Sequence, residues 1–209
     1  RISPMSISTT QFLILGVAAF AMTGLLTWPV RALAIRLGAM DVPNLARKTQ
    51  AEPVPYLGGV AIALGITITT LAVVYVGGNK SGENAGQLKD LALTVLLPAL
   101  LLGVMGLIDD LRSLSPWPRL ITQSVVGTVV ALIIVNAGTN GTPFGTSTLN
   151  TAVSIFWIVG ICNSINFFDN LDGAASGAVA IAALGVFFIA FDRGQELVSA
   201  LSIVTAGAT

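Results

Sequence analysis

The chain has 209 residues, of which 54% are hydrophobic and only 10% are charged, and its formal net charge is zero. Soluble domains carry about 25% charged residues, so this composition predicts a polytopic membrane protein. The zero net charge argues against a nucleic-acid-binding surface, which needs a basic stripe. One cysteine excludes a disulfide framework, and the absence of histidine removes the commonest metal ligand and general base.

Six apolar runs, and the start of a seventh, predict the transmembrane helices. A bilayer core of about 30 Å needs roughly 20 helical residues. The charge-free runs lie at about 8–30, 56–76, 91–108, 120–138, 149–168 and 174–191, and a seventh starts near Leu197. We therefore predict an all-α polytopic bundle that forms a single integral membrane domain over residues 1–209, with six complete spans and a seventh begun.

Two breaks in this pattern are predicted from turn residues. Residues 120–168 contain no charge, and as one helix they would be roughly 74 Å long, more than twice a bilayer. The run must therefore contain two helices, with the break at the Asn-, Gly- and Thr-rich residues 136–143. The Gly-Gly-Asn-Lys-Ser-Gly segment at 77–82 predicts a similar break between the second and third spans.

The loops after spans one, three and five share one side of the membrane. They carry the acidic segments 41–55, 109–119 and 169–173, whereas the loops on the other side are Gly-, Asn- and Ser-rich connectors. Six of the ten Lys and Arg residues fall on the acidic-loop side. The positive-inside rule therefore favours a cytoplasmic position for these three loops.

The first carboxylate pair is Asp109 and Asp110, at the end of the third span. Adjacent carboxylates do not both stay ionised cheaply unless a cation or a base lies nearby. They indicate either a reactive or metal-binding pair or an ordinary hydrated helix end, with Arg112 and Arg119 as ionic partners.

The second acidic group follows the fifth span. Asp169 and Asp172 are three residues apart, so in a helical turn they would project from one face. Asn163, Asn166 and Asn170 add polar groups beside the apolar run. The simpler alternative is a polar cap that starts the sixth helix, and the two interpretations are compatible.

Together these groups favour phosphoryl transfer. Carboxylate and amide oxygens suit Mg²⁺, which keeps waters and binds substrate phosphates. Basic side chains on the same face could hold phosphate oxygens, namely Arg47, Lys48, Arg112 and Arg119. Positioning and charge neutralisation dominate catalysis of phosphoryl transfer. The chain has no Gly-x-x-x-x-Gly-Lys-Ser/Thr loop, which excludes a P-loop phosphate-binding site.

Three motifs resemble those of the polyprenyl-phosphate N-acetylhexosamine-1-phosphate transferases, which are glycosyltransferases of family 4. They are Asp-Val-Pro-Asn at 41–44 with Pro-Val-Pro-Tyr-Leu-Gly-Gly at 53–59, Gly-Leu-Ile-Asp-Asp at 106–110, and Asp-Asn-Leu-Asp-Gly at 169–173. The superfamily includes the enzymes that start O-antigen and teichoic acid synthesis and the phospho-MurNAc-pentapeptide translocase. The resemblance covers roughly residues 31–191.

The resemblance implies an activity, a cofactor and a location. A UDP-sugar would donate its sugar-1-phosphate to undecaprenyl phosphate and release UMP, with Mg²⁺ required, at the cytoplasmic face of the bacterial cytoplasmic membrane, where it would initiate a cell-envelope glycan. The sequence of the first motif is closer to that of the GlcNAc-1-phosphate transferases than to that of the translocase. The sequence leaves open whether the protein forms a homodimer.

The resemblance also assigns roles to individual residues. Asp109 and Asp110 match the paired aspartates of the family and are the catalytic and Mg²⁺-binding candidates. The residues that match substrate-binding positions are Lys48, Asn166, Asp169 and Asp172. Two departures stand out, because Gln50 replaces a common histidine and Asn170 replaces a common glycine.

Family members usually have ten or eleven spans, with a further Mg²⁺-binding aspartate and a histidine motif in later loops. The resemblance therefore implies that these 209 residues correspond to the N-terminal part of such an enzyme, which by itself would be inactive. A transporter or channel and a non-catalytic membrane scaffold are the alternatives. A transporter would place its acids nearer the bilayer midplane.

Overall fold

The fold of this protein is given by a computed structural model that describes residues 7–41, 53–81, 85–112, 115–136, 145–168 and 173–209. The helices in these residues are α1 (Thr9–Leu37), α2 (Gly58–Ser81), α3 (Ala85–Arg112), α4 (Pro116–Asn136), α5 (Ser147–Phe168), α6 (Ala174–Asp192) and α7 (Glu196–Ala208). Two short antiparallel strands, β1 (Met40–Asp41) and β2 (Val54–Pro55), are the other regular elements of the described residues. The predicted all-α class is confirmed.

Five of these helices are long and apolar enough to cross a membrane, namely α1, α2, α3, α5 and α6. We predicted six complete spans, and α4 is the helix that does not meet the criterion within the described residues. α4 is a helix of 21 residues at the position of the fourth predicted span. The seventh helix begins at Glu196, next to the predicted start.

Most predicted breaks agree with the helix bounds, but two connections are placed differently. The charge-free run at 120–168 is divided between α4 and α5, as predicted. By contrast, α2 continues through Gly77 and Gly78 to Ser81, so the break predicted from residue 77 is wrong there. A helical glycine costs about 1 kcal/mol relative to alanine, which a helix of 24 residues tolerates.

The first helix is also longer than predicted. We predicted the first span at about 8–30, with Arg31 and Arg36 beyond it on the acidic-loop side, yet α1 includes both and ends at Leu37. Gly38 stops the helix, because it takes a left-handed conformation with φ of 67°. The N–H of Ala39 then bonds the Ala34 carbonyl at 2.9 Å. A basic residue in the last turn, here Arg36, is favourable at the negative end of the helix dipole.

The chain divides into two compact units, one formed by Arg1–Leu93 with Asp172–Thr209 and the other by Thr94–Leu171. The single-domain assignment for residues 1–209 stays a prediction. In the first unit α7 packs against α1 and α6, and α1 packs against α2. Ala19, Val204 and Ala208 form its buried cluster. Such small side chains let membrane helices approach closely and gain van der Waals contact.

In the second unit α4 packs against α5. A Cβ atom added to Gly127 of α4 would lie 3.4 Å from the Ile158 side chain and 3.7 Å from that of Val159. These are ordinary van der Waals distances, so the two helices lie close together at this position. This contact holds α4, and with it the residues at its N-terminal end, against α5.

Candidate active site

The carboxylate pair lies in the last turn of α3, because Arg112 is the final residue of that helix. Asp109 is half-buried and Asp110 is exposed. An ion pair joins the Asp109 Oδ2 atom to Arg119 Nη1 at 2.9 Å, and the two side chains keep only 15% and 25% of their surface accessible. Arg119 is the fourth residue of α4, so the pair closes the short connection between the two helices.

Both charges of this ion pair lie at helix ends that disfavour them. The C-terminal end of a helix carries partial negative charge and the N-terminal end carries partial positive charge. Asp109 therefore stands at the unfavourable end of α3, and Arg119 stands near the unfavourable end of α4. The ion pair offsets these two costs.

The donor chemistry of this turn fits a hard divalent cation. Mg²⁺ is commonly held by one or two carboxylates together with water and substrate phosphates. Asp109 and Asp110 could supply those two carboxylates, since a carboxylate has about four acceptor positions and the arginine uses one oxygen of Asp109. Among the described residues, no group of three or more His, Cys, Asp or Glu side chains could hold a metal ion.

In the first motif the described residues have a structural role. β1 and β2 pair antiparallel, with Met40 opposite Pro55 and Asp41 opposite Val54. The Tyr56 hydroxyl donates a hydrogen bond to Asp41 Oδ1 at 2.9 Å. Asp41 was predicted as part of an acidic segment, and here its carboxylate accepts this hydrogen bond beside the β1–β2 pair.

In the third motif Asn166 is exposed, in the last turn of α5. One turn earlier, Asn163 Nδ2 donates to Gln123 Oε1 of α4 at 2.7 Å. After the motif, Gly173 adopts a left-handed conformation with φ of 72° and precedes the first residue of α6. The start of α6 at Ala174 agrees with the apolar run predicted at 174–191, but its N-cap is Gly173, which makes no side-chain cap hydrogen bond.

Three predicted site residues, Lys48, Asp169 and Asp172, lie outside the described residues. The convergence of these groups with Asp109 and Asp110 in one pocket stays a prediction. What the structure brings together is Asp109 with Arg119, one of the two arginines named as ionic partners.

The sequence interpretation missed two polar contacts near the motifs. We predicted no role for Gln123, although it is buried and bonds to Asn163. Its position in a charge-free apolar run was the available signal, because polar side chains in membrane helices usually have a partner. The Tyr56–Asp41 bond had no such signal, since it depends on the pairing of β1 with β2.

Comparison with known proteins identifies the family of this chain. The sequence model described as glycosyl transferase family 4 matches residues 92–209, which contain α4 to α7, the Asp109–Asp110 pair and the third motif. The chain belongs to glycosyl transferase family 4. The resemblance predicted from the three motifs is thus confirmed.

Several curated relatives of this family 4 chain are similar over most of its length. One is the probable undecaprenyl-phosphate N-acetylglucosaminyl 1-phosphate transferase of Bacillus subtilis strain 168, which is 30% identical over 190 residues, or 86% of this chain and 48% of the relative. The phospho-N-acetylmuramoyl-pentapeptide-transferase of Streptococcus thermophilus strain CNRZ 1066 is 29% identical over 95% of this chain and 62% of its own length. The decaprenyl-phosphate N-acetylglucosaminephosphotransferase of Mycobacterium tuberculosis strain H37Rv is 29% identical over 95% of this chain and 52% of its own.

The family 4 chain spans about half to three fifths of the length of these relatives. No solved structure matches it. With five helices that could span a membrane, the chain is an integral membrane protein.

Proposed function

We propose that the complete protein transfers GlcNAc-1-phosphate from UDP-GlcNAc to undecaprenyl phosphate and releases UMP. The acceptor would be membrane-embedded and the donor soluble, so the reaction would take place at the membrane surface. The product would be the lipid-linked sugar that initiates a cell-envelope glycan. Undecaprenyl or decaprenyl phosphate and N-acetylglucosaminyl phosphate occur in the names of two relatives, and these names support the substrate classes.

One observation carries the proposal: the ion pair between Asp109 and Arg119 at the end of an apolar membrane helix. We infer that a carboxylate at the end of a membrane helix would lie near the depth of a lipid phosphate. A guanidinium 2.9 Å from this carboxylate can also bind phosphate oxygens through bidentate hydrogen bonds. The carboxylate and the guanidinium would thus lie together where a charged lipid head group and a diphosphate would meet.

The proposed reaction is a displacement at phosphorus. An oxygen of undecaprenyl phosphate forms a bond to the phosphorus next to the sugar, and the bond from that phosphorus to the UMP oxygen breaks. The UMP oxygen leaves with the electron pair. Asp109 would accept a proton from the lipid phosphate or hold the cation, and Arg119 would keep the Asp109 carboxylate in a fixed orientation.

Mg²⁺ is part of the proposal because Asp109 and Asp110 have the oxygen chemistry that it prefers. When bound, the cation would neutralise charge on the diphosphate as the UMP oxygen departs. Lys48, Asn166, Asp169 and Asp172 are proposed to bind the nucleotide diphosphate. The acidic loops are proposed to face the cytoplasm of a bacterium, in keeping with the distribution of Lys and Arg.

The position of the carboxylate pair favours a transferase over a transporter. Transporter sites typically lie near the bilayer midplane, at broken helices. Asp109 and Asp110 instead occupy the last turn of α3, which is 28 residues long. At about 1.5 Å per residue, such a helix spans the apolar core and leaves its last turn near the surface.

A reconstitution experiment tests this function. The complete gene product, purified into nanodiscs, is given undecaprenyl phosphate and Mg²⁺ with either UDP-GlcNAc or UDP-MurNAc-pentapeptide. Lipid-linked sugar phosphate and UMP should form in equal amounts from UDP-GlcNAc, and EDTA should abolish both. Product from UDP-MurNAc-pentapeptide alone would correct the sugar, and the absence of product from both donors would contradict the proposed function.

A further inference from the structure

A pair of side-chain amides joins α4 to α5 inside the second unit. Gln123 has only 7% of its surface exposed, and its Oε1 atom accepts a hydrogen bond from Asn163 Nδ2 at 2.7 Å. The same Asn163 nitrogen donates to the Val159 carbonyl at 2.8 Å. Both hydrogens of the Asn163 amide therefore have acceptors. In an apolar helix pair, this arrangement fixes one rotational setting of each side chain.

The amide pair lies one helical turn from residues of the candidate active site on both helices. Gln123 is four residues after Arg119, so the two side chains share a face of α4. On α5, Asn163 is three residues before Asn166 and projects from a neighbouring position of the same face. The hydrogen bond thus connects the helix of Arg119, the partner of Asp109, with the helix that bears Asn166.

Close packing alone does not explain the amides. One further turn along α4, a Cβ atom added to Gly127 would lie 3.4 Å from the Ile158 side chain and 3.7 Å from that of Val159, so the two helices already lie close there. Apolar contacts of this kind bring helices together but tolerate small rotations and shifts. A hydrogen bond between two amide side chains is directional and lost beyond about 3.5 Å. The amide pair therefore adds a constraint on register and rotation.

We propose that Gln123 and Asn163 are positioning residues of the transferase. Their hydrogen bond sets the register of α4 against α5, and so holds Arg119 and Asn166 in the orientation that substrate binding needs. This inference rests on the proposed function and deepens it. Interhelical hydrogen bonds in membranes have a range of strengths that corresponds to about a 3- to 20-fold change in an equilibrium. Loss of the bond should lower kcat/KM for the UDP-sugar by a factor in that range.

The test uses the complete gene product with Gln123→Leu, Asn163→Leu, both changes together, and the exchange Gln123→Asn with Asn163→Gln. Each single variant should raise KM for UDP-GlcNAc more than it lowers kcat. The double variant should lose no more kcat/KM than the single variant with the larger loss. The exchange should recover most of the lost kcat/KM, since it keeps one long and one short amide. Ser164→Ala, an exposed neighbour of Asn163, is the matched control and should behave like the wild type.

A second measurement does not need turnover. Spin labels at the exposed positions Ile121 and Ile161, in a Cys162→Ala background, report the α4–α5 distance. Gln123→Leu should broaden the distance distribution, and the exchanged pair should restore it. Additive kinetic losses, or an unchanged distribution in Gln123→Leu, would overturn the positioning role. An inactive wild type with a distribution that responds as described would contradict only the proposed function.

Discussion

The Asp109–Arg119 ion pair should show strong coupling in a double-mutant cycle. Asp109→Asn and Arg119→Gln each keep the approximate shape of the side chain and remove one charge. Either change alone leaves a half-buried charge at a helix end whose dipole opposes it. The two changes together remove both unfavourable charges. Each single variant should therefore be less stable than the double variant, which should be close to the wild type.

The expected size follows from the geometry. Unit charges about 4 Å apart attract by about 4 kcal/mol at an effective dielectric constant of 20. Desolvation and side-chain ordering cancel much of this attraction. Exposed pairs contribute about 0–1 kcal/mol, and breaking a buried pair costs about 3–5 kcal/mol. Asp109 and Arg119 keep 15% and 25% of their surface, so a coupling energy of about 1–2 kcal/mol is expected.

The assay is equilibrium unfolding of the complete, purified gene product by SDS, with UMP release measured on the same samples. The double variant should be stable and inactive, because removal of the charges preserves the fold but not the chemistry. Asp192→Asn removes an exposed acid from the last residue of α6 and should change stability by less than about 0.5 kcal/mol. Single-variant losses that add within about 0.3 kcal/mol would refute the coupling. A fully active double variant would refute the functional role.

The remaining predictions concern packing, loop closure and topology. Gly207→Leu should lower stability by about 1–3 kcal/mol in a thermal unfolding assay, because its Cβ would clash with the backbone of Gly16. Gly185→Ala, where a Cβ has no atom nearby, is the control and should be neutral or slightly stabilising. Equal effects of the two substitutions would contradict the α1–α7 contact. Tyr56→Phe should cost about 0.5–1.5 kcal/mol, since it removes the hydroxyl that bonds Asp41; an unchanged melting temperature would show that this bond is dispensable. Single cysteines placed in the three motif loops should all react with a membrane-impermeant maleimide from one side of the membrane; the positions are Asn44, Ser113 and Asn170. Labelling of any one of them from the opposite side would refute the shared face.

The helices were predictable because their signal is local. Apolar runs of about 20 residues identify spans whatever the tertiary contacts are, and the division of 120–168 into α4 and α5 followed from length alone. Helix ends were less predictable. Charge suggested that α1 would stop before Arg31, but the structure continues it to Gly38, where a left-handed glycine is the actual stop signal.

The candidate residues could be named from the sequence, but their contacts could not. The position of Asp109 and Asp110 beside an apolar run indicated either a reactive or metal-binding pair or a hydrated helix end with arginine partners. Which arginine would bind them depended on the geometry of the connection between α3 and α4, which places Arg119 beside Asp109. The bond between Gln123 and Asn163 joins residues 40 apart in sequence, and no local pattern specifies that register.

The central claim is that the carboxylate of Asp109 takes part in transfer of the sugar phosphate. Its most direct test is the rate of UMP release from UDP-GlcNAc and undecaprenyl phosphate by the complete protein, with Asp109→Asn compared with Asp192→Asn. Both substitutions remove one acid from the end of a membrane helix and keep its shape. Loss of nearly all activity in Asp109→Asn, with wild-type activity in Asp192→Asn and equal membrane insertion of both, is the predicted result. Full activity in Asp109→Asn would contradict the claim.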